Sequence, residues 1–173
     1  MYAAVAVAEG VVHKLMNANR SVFLHLQNNT NVPLCSPTWY GKMGRIHDNM
    51  PYCIQPKSSG AFIFHKTYWG FNGAEGVLVY QIGQKPNTNL CIFYSNPYFG
   101  SNKFSLKFSK PTEANYMLCK SMLETSWQSR FQVKWHNTEE EGVKPEYRDN
   151  TFAARGYCSQ CDPAYLFVML FQK

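Results

Sequence analysis

No segment of this 173-residue chain is apolar for long enough to cross a bilayer as a helix. The longest such runs are Ala3–Ala8 and Ala164–Phe171, well short of the roughly 20 residues that a span requires. Charge is scarce as well, at 16% of residues. Seventeen Lys and Arg stand against eleven Asp and Glu. The net charge of +6 favours acidic partners, but its carriers are scattered and nucleic acid is not singled out. The five histidines fall in no metal-binding motif, and Cys158-Ser-Gln-Cys161 has no second CxxC or His cluster to complete a zinc site. Neither a Gly-rich phosphate loop nor a nucleophile elbow occurs. The chain therefore reads as non-enzymatic, with no cofactor, no metal and no nucleic-acid partner.

Six cysteines are an even number compatible with secretion but too few for a disulfide scaffold. Cys35 and Cys53, both in loop-like sequence, lead as candidates for a bridge, with the pairing of the six left open. Two N-x-S/T sequons, at Asn19 and Asn28, matter only in a secretory pathway. The first sixteen residues lack a basic n-region and a cleavage site, so they are not read as a signal peptide.

Aromatics are abundant instead, at 16% of the chain, with eleven Tyr and twelve Phe. Several lie in turn-like contexts, where small polar residues are usual, and point to a binding surface. Strand signals dominate after residue 20. Ser21–Leu26, Gly60–Phe64, Gly76–Ile82 and Leu90–Tyr94 are short β-type runs. In Lys103–Ser109, Phe104, Leu106 and Phe108 alternate with Lys103, Ser105 and Lys107, predicting one buried and one wet face. Gln128–Trp135 repeats the pattern, and Tyr165–Phe171 reads as a strand buried on both faces. Gly, Pro and Asn punctuate these runs at the spacing of a β-sandwich.

Two segments are helical in pattern. Ser109-Lys-Pro-Thr112 supplies a cap and an early proline for a helix at about 112–124, with Leu118, Cys119 and Met122 on one side. At the N-terminus, Ala4, Val7, Ala8, Val11, Val12 and Leu15 share one side of a helical wheel over residues 1–20, and Glu9, His13, Asn17 and Arg20 fall opposite. Such a helix either packs on the sandwich or acts on a membrane. The expected architecture is a single mainly-β domain over residues 1–173, a β-sandwich flanked by two short α-helices.

Gly76-Val-Leu-Val-Tyr80, followed by Leu90–Tyr94 running into Ser95-Asn-Pro-Tyr98, resembles the actinoporins, the pore-forming cytolysins of sea anemones. There a GVLxY strand precedes one ending in SVPYDYN. Pro37-Thr-Trp-Tyr40 with Gly44 is similar to that family's first lipid-side loop, and Ala154–Cys158 with Tyr165–Met169 to its penultimate turn and last strand. The resemblance covers about residues 20–173. It implies a secreted soluble protein that binds a lipid head group, of a sphingolipid in particular. It further implies self-association into a homo-oligomer and insertion of the N-terminal helix as a pore. Glu9, His13 and Asn17 would then line the pore.

At the lipid site the family pattern matches Ser95, Pro97 and Tyr116, whereas Met43, Glu75, Lys120 and Ser121 replace other contacts. Tyr98 and Phe99 keep the turn aromatic, and Trp69 and Phe71 of Tyr68-Trp-Gly-Phe71 place further rings in a neighbouring loop. The expected lipid-binding set is Trp69, Phe71, Glu75, Ser95, Pro97, Tyr98, Phe99, Tyr116 and Lys120. Rings hold a quaternary ammonium by cation–π attraction, while Glu75 and Lys120 suit another head group, such as an ethanolamine or a sulfated sugar. A non-lytic lectin-like module is the alternative on the same sandwich.

Overall fold

The computed structural model describes residues 20–47, 49–67, 72–83, 88–128, 146–148 and 151–173. The N-terminal helix, residues 129–135 of the alternating run, and Trp69 and Phe71 lie outside the described residues. Sheet A contains β1 (Val22–Asn29), β3 (Arg45–Ile46), β5 (Ser59–His65), β10 (Glu146–Arg148), β11 (Phe152–Cys158) and β12 (Ala164–Gln172). Sheet B contains β2 (Leu34–Met43), β4 (Cys53–Ile54), β6 (Ala74–Ile82), β7 (Asn89–Asn96), β8 (Lys103–Ser109) and β9 (Trp127–Gln128). Their strand orders are β10-β11-β12-β1-β5-β3 and β4-β2-β6-β7-β8-β9. The pairing is antiparallel apart from β1 with β12. This is the mainly-β sandwich that the strand spacing predicts.

The side-chain period of two sends Val22, Leu24 and Leu26, with Leu166, Val168 and Leu170, inward from sheet A. They meet Leu78, Tyr80, Ile92 and Tyr94 of sheet B in one core. Removing each such side chain from water contributes about 1.5–3 kcal/mol. The phenols inside are paired, as burial requires. Trp39 Nε1–H donates to the Tyr94 hydroxyl at 2.8 Å, and the Tyr80 hydroxyl donates to the Pro51 carbonyl at 2.6 Å. Burial pushes the pKa of both tyrosines up.

The described helix, α1 (Tyr116–Glu124), lies across the outer face of sheet B. There Cys119 and Met122 pack on Val77, Val79, Cys91 and Phe93. It starts later than the sequence suggests. The N-cap is Asn115 and not a residue of Ser109–Thr112, its side chain accepting from Leu118 N–H at 3.0 Å. The residues before it are tied to the sheet instead. Asn89 donates to the Thr112 carbonyl, and Ala114 N–H donates to Thr38 Oγ1, both at 2.9 Å.

Three further expectations change. Pro37–Tyr40 is not a loop but the interior of β2, which absorbs the proline at an irregularity between Cys35 and Thr38. Ser105 is buried because α1 rests against its side of β8. β12 is fully buried on one face only, and Tyr165, Phe167, Met169 and Phe171 on the other are half-buried. The Cys35–Cys53 bridge is present and joins β2 to the edge strand β4. The Asn28 sequon is closed to a glycan in the folded protein, since that side chain is buried and bonded to the Val32, Ile54 and Gln55 carbonyls.

Candidate functional site

The strand directions bring the start of β1, the β2–β3, β5–β6 and β7–β8 connections and the β11–β12 loop to one end of the sandwich. The β7–β8 turn, Pro97–Asn102, stands out from it. Gly100, at φ +106°, takes a backbone conformation that costs other residues energy. Two asparagines bracket the turn. Asn96 is fully buried and donates to the Ser21 carbonyl at 2.9 Å and to Asp162 Oδ1 at 3.1 Å. Asn102 donates to the Ser159 and Cys161 carbonyls at 2.8 and 2.9 Å, and its backbone exchanges hydrogen bonds with the Gln160 side chain. Gly73 lets the neighbouring loop approach, because a Cβ there would strike the Asn96 carbonyl. The turn is thus clamped at both feet while its tip projects.

At the tip Phe99 is 79% exposed. Its ring meets Tyr98 edge-on, with centroids 4.9 Å apart. Tyr98 is half-buried, with the Arg20 guanidinium and the Lys66 ammonium over its ring. Pro97 is half-buried beneath them. An exposed ring on a rigid mount loses little conformational freedom when it enters an apolar or interfacial medium, which suits it to surface binding.

The expected contacts on sheet B form a second cluster, with a different character. Glu75 is 5% exposed and accepts from Lys42 Nζ at 2.6 Å and from Ser95 Oγ at 3.0 Å. Glu75 and Ser95 therefore satisfy each other and Lys42 inside the protein, so Glu75 does not present a surface charge. The hydrogen bond to Glu75 raises the Lys42 pKa, against the opposing effect of burial. Burial, with Glu75 nearby, pushes the Cys119 thiol up to about 11, leaving it protonated and unreactive. Tyr116, in the first turn of α1, is 49% exposed and edge-on to Tyr40, with centroids 6.4 Å apart. Met117 beside it is exposed, as is Lys120 one turn on.

The structure brings Pro97, Tyr98 and Phe99 together on the projecting turn. It joins Ser95 and Glu75 beneath the surface next to Tyr116, and leaves Lys120 in solvent with no ion pair among the described residues. Sequence reasoning missed Asn96, Asn102, Lys42 and Asp162. The X-Asn-Pro and Ser-Asn boundaries of an aromatic turn were the available signal for the two asparagines.

No model of a known family matches the chain, and neither does any curated protein. The fold itself has solved counterparts. It superposes on the lipid binding protein Nakanori with a TM-score of 0.76 and 13% sequence identity, over 98% of this chain and 79% of that one. It is also similar to IP-1A from Alcaligenes faecalis, with a TM-score of 0.51 and 11% identity, over 93% of this chain and 97% of that one. At these identities the likeness is one of fold.

Proposed function

We propose that this protein binds membrane lipid head groups, of sphingolipids in particular, through the Pro97–Asn102 end of the sandwich. We propose further that it then self-associates and inserts residues 1–20 as a pore. The observation that carries the binding step is the Phe99 ring, exposed on a turn clamped by Asn96 and Asn102. The fold shared with a lipid binding protein supports it, and so does the sequence resemblance to the actinoporins. The pore step rests on that resemblance and on the amphipathic pattern from Ala4 to Leu15, where Glu9, His13 and Asn17 would face water in an oligomer. The Cys35–Cys53 bridge favours an oxidising, extracellular setting. Because Lys42 and Ser95 already hold Glu75, the head group meets the rings of Tyr98, Phe99 and Tyr116 and not these buried oxygens.

Vesicle flotation and dye release separate the two steps. Phe99→Ala should weaken binding to sphingolipid vesicles by about 1–2 kcal/mol without changing the melting temperature, since an exposed ring contributes nothing to the core. Deleting residues 2–16 should leave binding in place and abolish dye release. Full release by the truncated protein would refute the pore step, and full binding by Phe99→Ala would remove the turn from the site.

A further inference from the structure

The aromatic end also holds two cations close together. The Arg20 guanidinium carbon lies 5.2 Å from the Tyr98 ring centroid, and Lys66 Nζ lies 5.9 Å from the same centroid. Two full positive charges thus share one ring, although a ring face attracts each only weakly at an exposed site. One carboxylate is at hand. Arg20 Nε is 3.6 Å from Asp162 Oδ2, with the two side chains 29% and 30% exposed, so the pair remains in contact with water. Lys66 has no carboxylate partner among the described residues. Lys103, at the start of β8, adds to the same field. Glu75, also at this end, is buried against Lys42, and its charge is taken up by that lysine.

Cations held close together on a weakly attracting surface keep a positive potential, and an anion between them relieves their mutual repulsion. A phosphate or sulfate ester fits the donors present. The planar guanidinium offers paired N–H groups and the ammonium a movable point charge, while the ring closes one side. The adjacent Phe99 tip, 79% exposed, decides which bearer of such a group comes here. A free anion gains nothing from that ring, whereas a bilayer takes the ring up as its head groups reach the cations.

We propose that Arg20, Lys66 and the Tyr98 ring form a binding site for the anionic ester group of a membrane lipid. This rests on the lipid-binding reading above and adds a charge preference to it. The protein favours bilayers with a net negative surface over zwitterionic ones, and the preference fades as salt screens it.

The test compares the full chain on phosphatidylcholine vesicles with and without phosphatidylserine, and with and without sulfatide, at low and physiological ionic strength. The readout is the ratio of affinities for anionic and neutral vesicles. Each juxtaposed cation contributes about a fivefold factor near an anionic surface. The wild-type ratio should therefore exceed about tenfold at low salt and fall with added salt. Lys66→Gln and Arg20→Gln should each reduce it about fivefold, and Lys66→Arg should retain it. Lys66→Gln breaks no ion pair among the described residues, so it stays informative if Arg20→Gln destabilises the contact with Asp162. A wild-type ratio near one overturns the anion site and leaves lipid binding standing. A high ratio that neither variant lowers also overturns it. Failure to bind any vesicle removes the lipid reading, and this site with it.

Discussion

The two ends of the sandwich are closed by the same device and present different surfaces. At the end away from the aromatic turn, Asn28 is fully buried. It donates to the Val32, Ile54 and Gln55 carbonyls and accepts from the Thr30 backbone and hydroxyl. It uses its full hydrogen-bonding capacity, and the turns it holds together, Thr30–Pro33 and Gln55–Ser58, are small and polar. At the other end Asn96 and Asn102 tie two loops in the same manner, yet the turn between them carries Tyr98 and Phe99. Both described ion pairs, Arg20–Asp162 and Lys42–Glu75, also belong to this end. A sandwich needs its strand connections pinned at both ends, and buried amides pin them without charge. The paired rings and the two ion pairs at this end go beyond what that closure requires.

The largest effects should come from the pins themselves. Asn28→Ala removes an amide that bonds three carbonyls and the Thr30 backbone N–H, and Asn102→Ala one that bonds two carbonyls, so each should lower unfolding free energy by about 2–4 kcal/mol in urea titrations. Their consequences for binding should differ. Once refolded and measured well below the transition, Asn28→Ala should bind vesicles as the wild type does, because its turns touch no lipid. Asn102→Ala should bind less tightly, because Phe99 loses its fixed mount. Equal binding losses in the two variants would show that the ends do not differ in the way proposed.

The sequence announced the display more plainly than the mount. Alternation in Lys103–Ser109 and the runs around Gly76–Ile82 and Leu90–Tyr94 located strands correctly, because the hydrophobic period of two is local information. An aromatic turn after Pro97 was visible for the same reason. The clamp was not, since Asn102 meets Ser159 and Cys161 only after β11 and β12 have folded back across the sandwich. Glu75 shows the limit most sharply. Its place in the strand was legible, but whether it met water or Lys42 depended on Tyr40-Gly-Lys42 being a strand, and the resemblance to the actinoporins made Pro37–Tyr40 read as a loop. The late start of α1 has a similar origin, with Thr38 capturing the Ala114 N–H from across the sheet.

The ion pair offers an intermediate test. Lys42 is about a third exposed on its side-chain surface whereas Glu75 is nearly enclosed, at 36% and 7%. Removing the lysine leaves a buried carboxylate with only Ser95 for company, and removing the carboxylate's charge leaves an ammonium that can turn to water. Lys42→Met should cost about 1–3 kcal/mol and Glu75→Gln under about 1 kcal/mol, with the double variant recovering much of the larger loss. A costlier Glu75→Gln would mean that the pair is organised around the lysine instead. That would make the aromatic end electrostatically simpler than its geometry indicates.

The smallest effect concerns acid, and it too should be uneven across the fold. His65 enters the aromatic end beside Lys66. Burial lowers its pKa, and Arg45 and the His47 ring, 5.5 Å away, add to the shift. His25, on the outward face of β1 against Phe167, is lowered by burial as well, and its Nε2 has no partner among the described residues. A depressed histidine pKa means that the folded state binds fewer protons than the unfolded chain. The associated stability is present above the unfolded value of about 6.5 and is lost as pH falls through the lower folded value. The unfolding midpoint should therefore drop on going from neutral to mildly acidic buffer. His65→Gln should flatten that dependence, and so should His25→Gln. The turns pinned by Asn28 contain no histidine, so amide exchange at Thr30–Val32 should accelerate less in acid, after correction for intrinsic rates, than at Asn96–Asn102. Matching protection losses at both ends would place the acid sensitivity in global unfolding and remove this last distinction between them.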